Sequence, residues 1–394
     1  MPTVSAFPPV ATSSWRGAWS DRLLALRDRL LASRRFQRGT ASFPLTAPIA
    51  RSRAAELFDL VAGFVYSQVL LACVQLKLFD LLAAGPSRTS ALAQRLSLSP
   101  EACERLVAAA VSLRLLEYRS DGRVGLGVLG APMVDNPALS AIVEHHHALY
   151  ADLKDPLAML RGLPKQAALA GYWPYADASS AAALQADSVA GYSALMSASQ
   201  PLVADEILDA YPLGGHRCLL DVGGGEGGFL ASAARRSDSL QLMLFDLPAV
   251  VERARERCAE AGISQRVRFF PGSFLTDPLP VGADVASLVR VIHDHDDAAA
   301  MQILRAVRQA LPDEGTLLLA EPMACTPGAR AMGDAYFGFY LMAMGSGRPR
   351  SAEELTALLQ QAGFDRVRQR RTAMPLQTSL LVARAAPGRG MSAS

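Results

Sequence analysis

A chain of 394 residues can hold two domains of ordinary size, and 51% hydrophobic residues with a mean hydropathy of +0.18 point to apolar interfaces or an apolar ligand. Five cysteines, Cys73, Cys103, Cys218, Cys258 and Cys325, are odd in number and show no C-x-x-C pair. That argues against a disulfide framework or a zinc site and fits a reducing, cytoplasmic compartment. The net charge of +2 is unremarkable, but residues 1–55 hold nine arginines and two aspartates, +7 against −5 for the rest.

In chain order, residues 1–55 read as a basic, partly disordered arm. Within it, Leu23, Leu26, Leu30 and Leu31 fall at helical spacing with arginines opposite, behind Trp15 and Trp19. Such a helix suits a peripheral contact with the inner membrane or a surface helix folded back on the protein. A signal peptide is not expected, because no uninterrupted apolar core or small-residue cleavage site is present. The apolar run Leu57 to Leu76 contains Asp59, Ser67 and Gln68 and stops at Lys77, which predicts a buried helix at a dimer interface and not a membrane span.

Residues 56–200 read as a helical dimerisation and substrate-lid region. Short helical segments follow one another at Val74–Leu82, Ser90–Leu96 and Ser99–Val107, the last opened by a Ser99 cap with Pro100 behind it. Asp121-Gly122 between Arg119 and Leu126 predicts a hairpin, completing a winged-helix unit. A winged helix raises the possibility of a DNA-binding regulator. The helix that would enter the groove carries only Glu101, Glu104 and Arg105, too little positive charge to grip phosphates, so no nucleic-acid partner is expected. Further on stand His145, His146 and His147, readable as a solvated helix face or as substrate contacts. Tyr192, Met196, Tyr336, Tyr340 and Met344 supply aromatic and flexible apolar surface, either plain core or the wall of a pocket for an extended apolar acceptor.

Residues 201–385 alternate strands with helices. Cys218–Leu230 gives a short strand ending in Asp221, then Gly223-x-Gly225-x-Gly227, then a helix. Glycines at that spacing allow a left-handed turn and a close backbone approach to a ligand, although the pattern is not the G-x-G-x-x-G of dinucleotide sites. A second strand ends in Asp246, 25 residues beyond Asp221, where an acid meets ribose hydroxyls or caps the following helix. Strands at Arg266–Pro271, Ala283–Ile292 and Thr316–Ala320 follow, and a final helix and strand lead to a tail, 386–394, that reads as disordered. This is an α/β fold: a Rossmann-like doubly wound parallel sheet that binds ligands at its carboxyl edge, behind a helical amino-terminal domain.

Asp221-Val-Gly-Gly-Gly-Glu-Gly227, the Phe245-Asp-Leu-Pro248 turn and Arg290-Val-Ile-His-Asp294 together resemble the class I S-adenosylmethionine-dependent small-molecule O-methyltransferases, of the caffeic acid and polyketide type. The resemblance spans residues 55 to 385. Within the family, Glu144-His-His-His147, Asp152-Leu-Lys-Asp-Pro156 and Ala335–Gly345 are most similar to the carotenoid hydroxyneurosporene (demethylspheroidene) branch. The resemblance implies a homodimer and S-adenosylmethionine bound by Asp221, Gly223, Gly225, Asp246, Leu247, Ser273, Phe274 and Arg290, with S-adenosylhomocysteine as product. It further implies His293 as general base, Asp294 as a cap or orienting group, and Glu321 as the carboxylate that steers the histidine. Ser273 stands where the family usually has an aspartate on the adenine amine, and Pro349 where some members carry a second supporting glutamate. The implied reaction is methylation of a hydroxyl on a hydrophobic acceptor, such as the 1-hydroxyl of an acyclic carotenoid. A bacteriochlorophyllide or a polyketide phenol are alternative acceptors. His293-x-His295-x-Asp297 also fits a metal-hydrolase pattern, but the upstream histidines lack matching spacing, so no metal is expected.

Overall fold

The computed structural model describes residues 15–162, 168–169, 200–375 and 378–387. It divides into two compact units, Met1–Leu76 with Gly85–Val128, and Lys77–Ala84 with Leu129–Ser394. The division falls at 128/129, ahead of the boundary near 200 expected from sequence.

The first unit begins with α1 (Trp15–Ala32) and α2 (Arg34–Ser42), so the arm expected to be partly disordered is helical there. Every residue from Trp19 to Ala32 is exposed. At about 100° per residue, Trp19, Leu23, Leu26 and Leu30 share one stripe; Arg22, Arg27 and Arg29 flank it, and Leu31 falls outside it. Helix α3 (Ala47–Gln75) starts ten residues before the apolar run and takes Pro48 into its first turn, where the missing N–H costs nothing. Within one chain the run is exposed, Leu60 at 81% and Phe64 at 67%, which leaves its apolar face open for the expected dimer interface. By length and composition α3 would also suit a bilayer span.

After α4 (Leu78–Ala83), which belongs to the second unit, come β1 (Ser87–Arg88), α5 (Thr89–Leu96) and α6 (Pro100–Ser112). The Ser99 side chain accepts from the Ala102 N–H at 3.1 Å, and α6 buries Cys103, Val107 and Ala110. Strands β2 (Leu116–Tyr118) and β3 (Arg123–Leu126) pair antiparallel, with β1 on the far side of β3. Asp121 and Gly122 turn the hairpin with φ of 59° and 65°, the positive pair a tight hairpin needs.

In the second unit, α7 (Pro137–Asp152) and α8 (Pro156–Leu160) precede a seven-stranded sheet in the order β6-β5-β4-β7-β8-β10-β9. Its strands are β4 (Cys218–Val222), β5 (Gln241–Asp246), β6 (Val267–Pro271), β7 (Val285–Val289), β8 (Thr316–Glu321), β9 (Phe364–Arg370) and β10 (Ser379–Ala385). The first five run parallel, with a helix between β4 and β5, β5 and β6, and β7 and β8, and an irregular loop from β6 to β7. β10 follows β9 after a short connection and pairs antiparallel with both β8 and β9, a departure from the all-parallel expectation. Side chains alternate between two cores: Leu317 and Leu319 of β8 face one, Leu318 and Ala320 the other, as a sheet covered on both faces requires. Strands are added in one direction from β4 to β6 and in the other from β7 onward, so β4 and β7 flank the switch point where such sheets open a crevice at their carboxyl ends.

Candidate active site

β4 delivers Asp221 into that crevice fully buried. Ser287 donates its hydroxyl to Oδ1 at 2.6 Å, while Oδ2 is buried with no partner among the described residues. Burial pushes this carboxyl up to about 7, the Ser287 hydrogen bond opposing and the Asp246 charge adding. An orphaned buried oxygen at the mouth of a glycine turn asks for a cationic donor. Gly223 turns at φ 67°, and a Cβ there would lie 2.9 Å from Val291 Cγ2, so no other residue fits; at Gly225 (φ 58°) the space ahead is open. At the tip of β5, Asp246 accepts from Gly225 N (2.8 Å) through Oδ2 and from Leu247 N (2.7 Å) through Oδ1. Burial raises this carboxyl to about 6 against those two bonds. The tip of the second strand is where such sheets commonly meet a ribose diol. These groups fit an S-adenosyl ligand.

Ser273 opens a turn in which its N–H donates to Asp277 Oδ2 at 2.8 Å and its hydroxyl accepts from Leu275 N at 3.3 Å. Asp277 therefore fixes the turn in which Ser273 stands. Phe274 packs toward the Gly223 turn and stands edge-on to the His295 ring at 5.3 Å. Arg290 follows β7 with φ 57°, its N–H on Ala320 O at 2.8 Å.

The segment Ile292–Asp294 is a single 3₁₀ turn past the end of β7, and it holds His293 almost fully buried. Glu321, the last residue of β8, makes the neighbouring support. Its Oε1 accepts from Val291 N (3.1 Å) and Ile292 N (2.7 Å), and its Oε2 takes the His293 Nδ1 hydrogen bond. Asp294 Oδ1 lies 3.0 Å from His293 Nε2. Burial alone would lower the imidazole pKa, but the two carboxylates outweigh it and hold His293 up at about 10. The ring thus has two carboxylates after all; the second comes from its own neighbour, Asp294, and not from the Gly347–Ser351 turn where Pro349 stands. His295 and Asp297 go elsewhere, the first against Phe274 and the second to Arg348 and Arg350. Among the described residues, no group of three His, Cys, Asp or Glu side chains is arranged to hold a metal ion.

Aromatic side chains gather beside His293. A π-helical segment, Ala331–Tyr336, leads into the helix Phe337–Met344; Tyr336 stacks on Tyr340 at 5.8 Å, and Phe337 lies between Tyr336 (5.0 Å) and the His293 ring (6.0 Å). Across from them α7 presents His146, hydrogen-bonded to the Tyr336 hydroxyl at 2.8 Å, and His145, bonded to the Tyr340 hydroxyl at 2.8 Å. Desolvation holds both imidazoles down, His145 to about 4, so both are neutral. The histidine run is therefore not a solvated face at these two positions. Met344, 1% exposed, is packed with Leu149 and Leu341 inside that cluster. Tyr192 and Met196 lie outside the described residues.

Residues 150–365 match an O-methyltransferase domain and residues 58–135 an O-methyltransferase dimerisation domain. The chain is 45% identical over 340 residues to the demethylspheroidene O-methyltransferase of Cereibacter sphaeroides, covering 86% of this chain and 89% of that one. It is 41% identical over 355 residues to that of Rhodobacter capsulatus, covering 90% and 88%. Human N-acetylserotonin methyltransferase, solved in complex with SAM, shares the fold with a TM-score of 0.70 at 23% identity, over 85% of this chain and 98% of that one. The chain belongs to the S-adenosylmethionine-dependent O-methyltransferase family. It is an enzyme that uses S-adenosylmethionine, and its dimerisation domain, with the open apolar face of α3, supports a homodimer.

Proposed function

We propose that the enzyme methylates the 1-hydroxyl of an acyclic carotenoid, with His293 as general base. One observation carries the reading: a buried histidine, held at Nδ1 by a carboxylate from the next strand, lies beside an aromatic wall at the edge of the cofactor turn. The likeness to two demethylspheroidene O-methyltransferases supports the acceptor. Bound S-adenosylmethionine supplies a methyl group on a cationic sulfur. Asp221 and Asp246 bind and orient it; the ring of Phe274 offers a face to the adenine; Leu247 and Arg290 complete the edge of the site.

His293 Nε2 takes the hydroxyl proton as the new O–C bond forms, because a tertiary alcohol is too weak an acid to ionise first. Glu321 fixes the Nδ1–H tautomer and stabilises the imidazolium that results. Asp294 Oδ1 stands at His293 Nε2, so the acceptor hydroxyl has to displace it before the ring can serve as base. Tyr336, Tyr340 and His146 form the acceptor wall, together with Tyr192 and Met196 from outside the described residues. Incubating the purified enzyme with methyl-labelled cofactor and, separately, a 1-hydroxylated acyclic carotenoid, a bacteriochlorophyllide and a simple phenol tests this. Label in the carotenoid ether alone is the expected result; label in the chlorin or the phenol alone overturns the acceptor assignment.

The same reading places the enzyme in the cytoplasm, peripheral on the inner membrane through α1, whose exposed Trp19–Leu30 stripe is bordered by arginines on both sides. Co-sedimentation of the intact protein with anionic vesicles, lost in a Leu23→Ser/Leu26→Ser/Leu30→Ser variant, is expected. Equal sedimentation of the two proteins would refute the contact.

A further inference from the structure

Four consecutive carbonyls of the His293 turn are each bonded to one short segment. Ile292 O accepts from Arg350 Nη1 (2.9 Å), and His293 O from the Arg348 backbone N–H (2.9 Å). Asp294 O accepts from the Ser346 hydroxyl (2.8 Å), and His295 O from Arg350 Nη2 (2.8 Å). Between these donors sits Gly347 at φ 78°, where a Cβ would lie 2.6 Å from the Asp294 carbonyl carbon, so only glycine lets the two backbones approach this closely.

Arg350 is the centre of the arrangement. It is 2% exposed, and its guanidinium straddles the turn from Ile292 to His295 while Nε (2.9 Å) and Nη2 (2.7 Å) hold Asp297 Oδ1. Its own backbone is fixed in turn. Ala324 N donates to Arg350 O at 3.0 Å, just beyond the end of β8, and Ser351 caps the helix Ala352–Gln361 with a capping box through Glu354. The strand end that supplies Glu321 to the His293 ring therefore also anchors the group that holds the His293 backbone.

A guanidinium buried under a backbone turn is costly unless its N–H groups find acceptors, and its four bonds reach three acceptor atoms, two carbonyls and one carboxylate, that no lysine could span together. We propose that Arg350 is a positioning residue for the methyl-transfer base: it sets the height and tilt of the Ile292–His295 turn, and through it the place of the His293 ring. This rests on the reading of His293 as base. The segment Gly347–Ser351, which carries proline where a supporting acid was sought, contributes a backbone clamp in place of that carboxylate.

The test uses the intact protein with a hydroxylated acceptor it turns over. Arg350→Lys should lower kcat on the order of 10²-fold, because displacement of a reacting group by about 1 Å costs that much, while the S-adenosylhomocysteine Kd stays within about threefold. In Arg350→Ala, added guanidinium should restore at least tenfold of the lost kcat, and ammonium at the same ionic strength should not. A kcat within twofold of wild type in folded Arg350→Lys, or loss of cofactor binding in step with kcat, overturns the proposal. Should Arg350 variants not fold, Ser346→Ala removes one clamp bond without burying a charge and should reduce kcat three- to tenfold at unchanged KM for the cofactor; unchanged kcat there also overturns it. A His293→Ala protein with full activity refutes the base assignment itself, whereas an inactive His293→Ala beside a fully active Arg350→Lys removes the clamp alone.

Discussion

Glu321→Gln isolates what the strand-end carboxylate does for His293. The Glu321 Oε1 atom accepts two backbone N–H groups, from Val291 and Ile292, and only its Oε2 meets His293 Nδ1. A glutamine must keep its single oxygen on those two donors, since turning its NH₂ toward them would oppose donor to donor. Its amide N–H groups then face Nδ1, which has to become the acceptor. The ring proton moves to Nε2, the atom required to take the hydroxyl proton, and the base is held in the wrong tautomer. A comparable tautomer reversal in a serine protease lowers kcat about 10⁴-fold, and a loss of about 10³–10⁴ is expected here, roughly 4–5.5 kcal/mol at 1.36 kcal/mol per decade. Backbone bonding is conserved, so the fold and the cofactor turn should be untouched. Single-turnover methylation with labelled cofactor, run beside calorimetry with S-adenosylhomocysteine, separates the two effects. A variant within threefold of wild-type turnover would refute the tautomer argument.

Three further outcomes follow from the charges. Because the base must be deprotonated, kcat/KM should climb about tenfold per pH unit from pH 7 toward the His293 value of about 10, and Asp294→Asn should move that break to lower pH; a flat profile contradicts the paired-imidazolium resting state. The folded His293 value lies above the ordinary ~6.5, so its pairs contribute stability in full below that pH and lose it as pH rises through about 10. The gap in Tm between wild type and His293→Gln should therefore be largest near pH 6 and close by pH 10.5, as read by differential scanning calorimetry. Asp221, raised to about 7, would hold the ligand's α-ammonium group as the carboxylate; S-adenosylhomocysteine affinity should rise between pH 6 and pH 8, and Asp221→Asn should flatten that rise.

The parallel sheet and its carboxyl-edge crevice were legible because the glycine turn, the tip acid of β5 and the buried run of β7 each have a strong local signal. So was the hairpin, since Asp121-Gly122 takes positive φ at little cost. The antiparallel edge was not, because nothing in Phe364–Arg370 says which way its neighbour runs. The exposure of α3 within one chain is not legible locally either. An apolar run predicts burial, but the partner that covers it need not lie in the same chain. At the site, His293 and Glu321 could be named in advance, while Asp277, Ser287 and Arg350 could not. Their contacts to the site cross between separate turns and strands, and arginine and serine carry no signature that distinguishes a clamp from a surface residue. Pairing of His145 and His146 with Tyr340 and Tyr336 joins elements 190 residues apart or more, beyond the reach of any local pattern.

The most direct test replaces His293 with alanine and measures both halves of the site on one preparation. Cofactor product should bind with wild-type affinity while turnover of the hydroxylated acceptor drops 10²- to 10⁴-fold. Wild-type turnover by that variant would contradict the account at its centre.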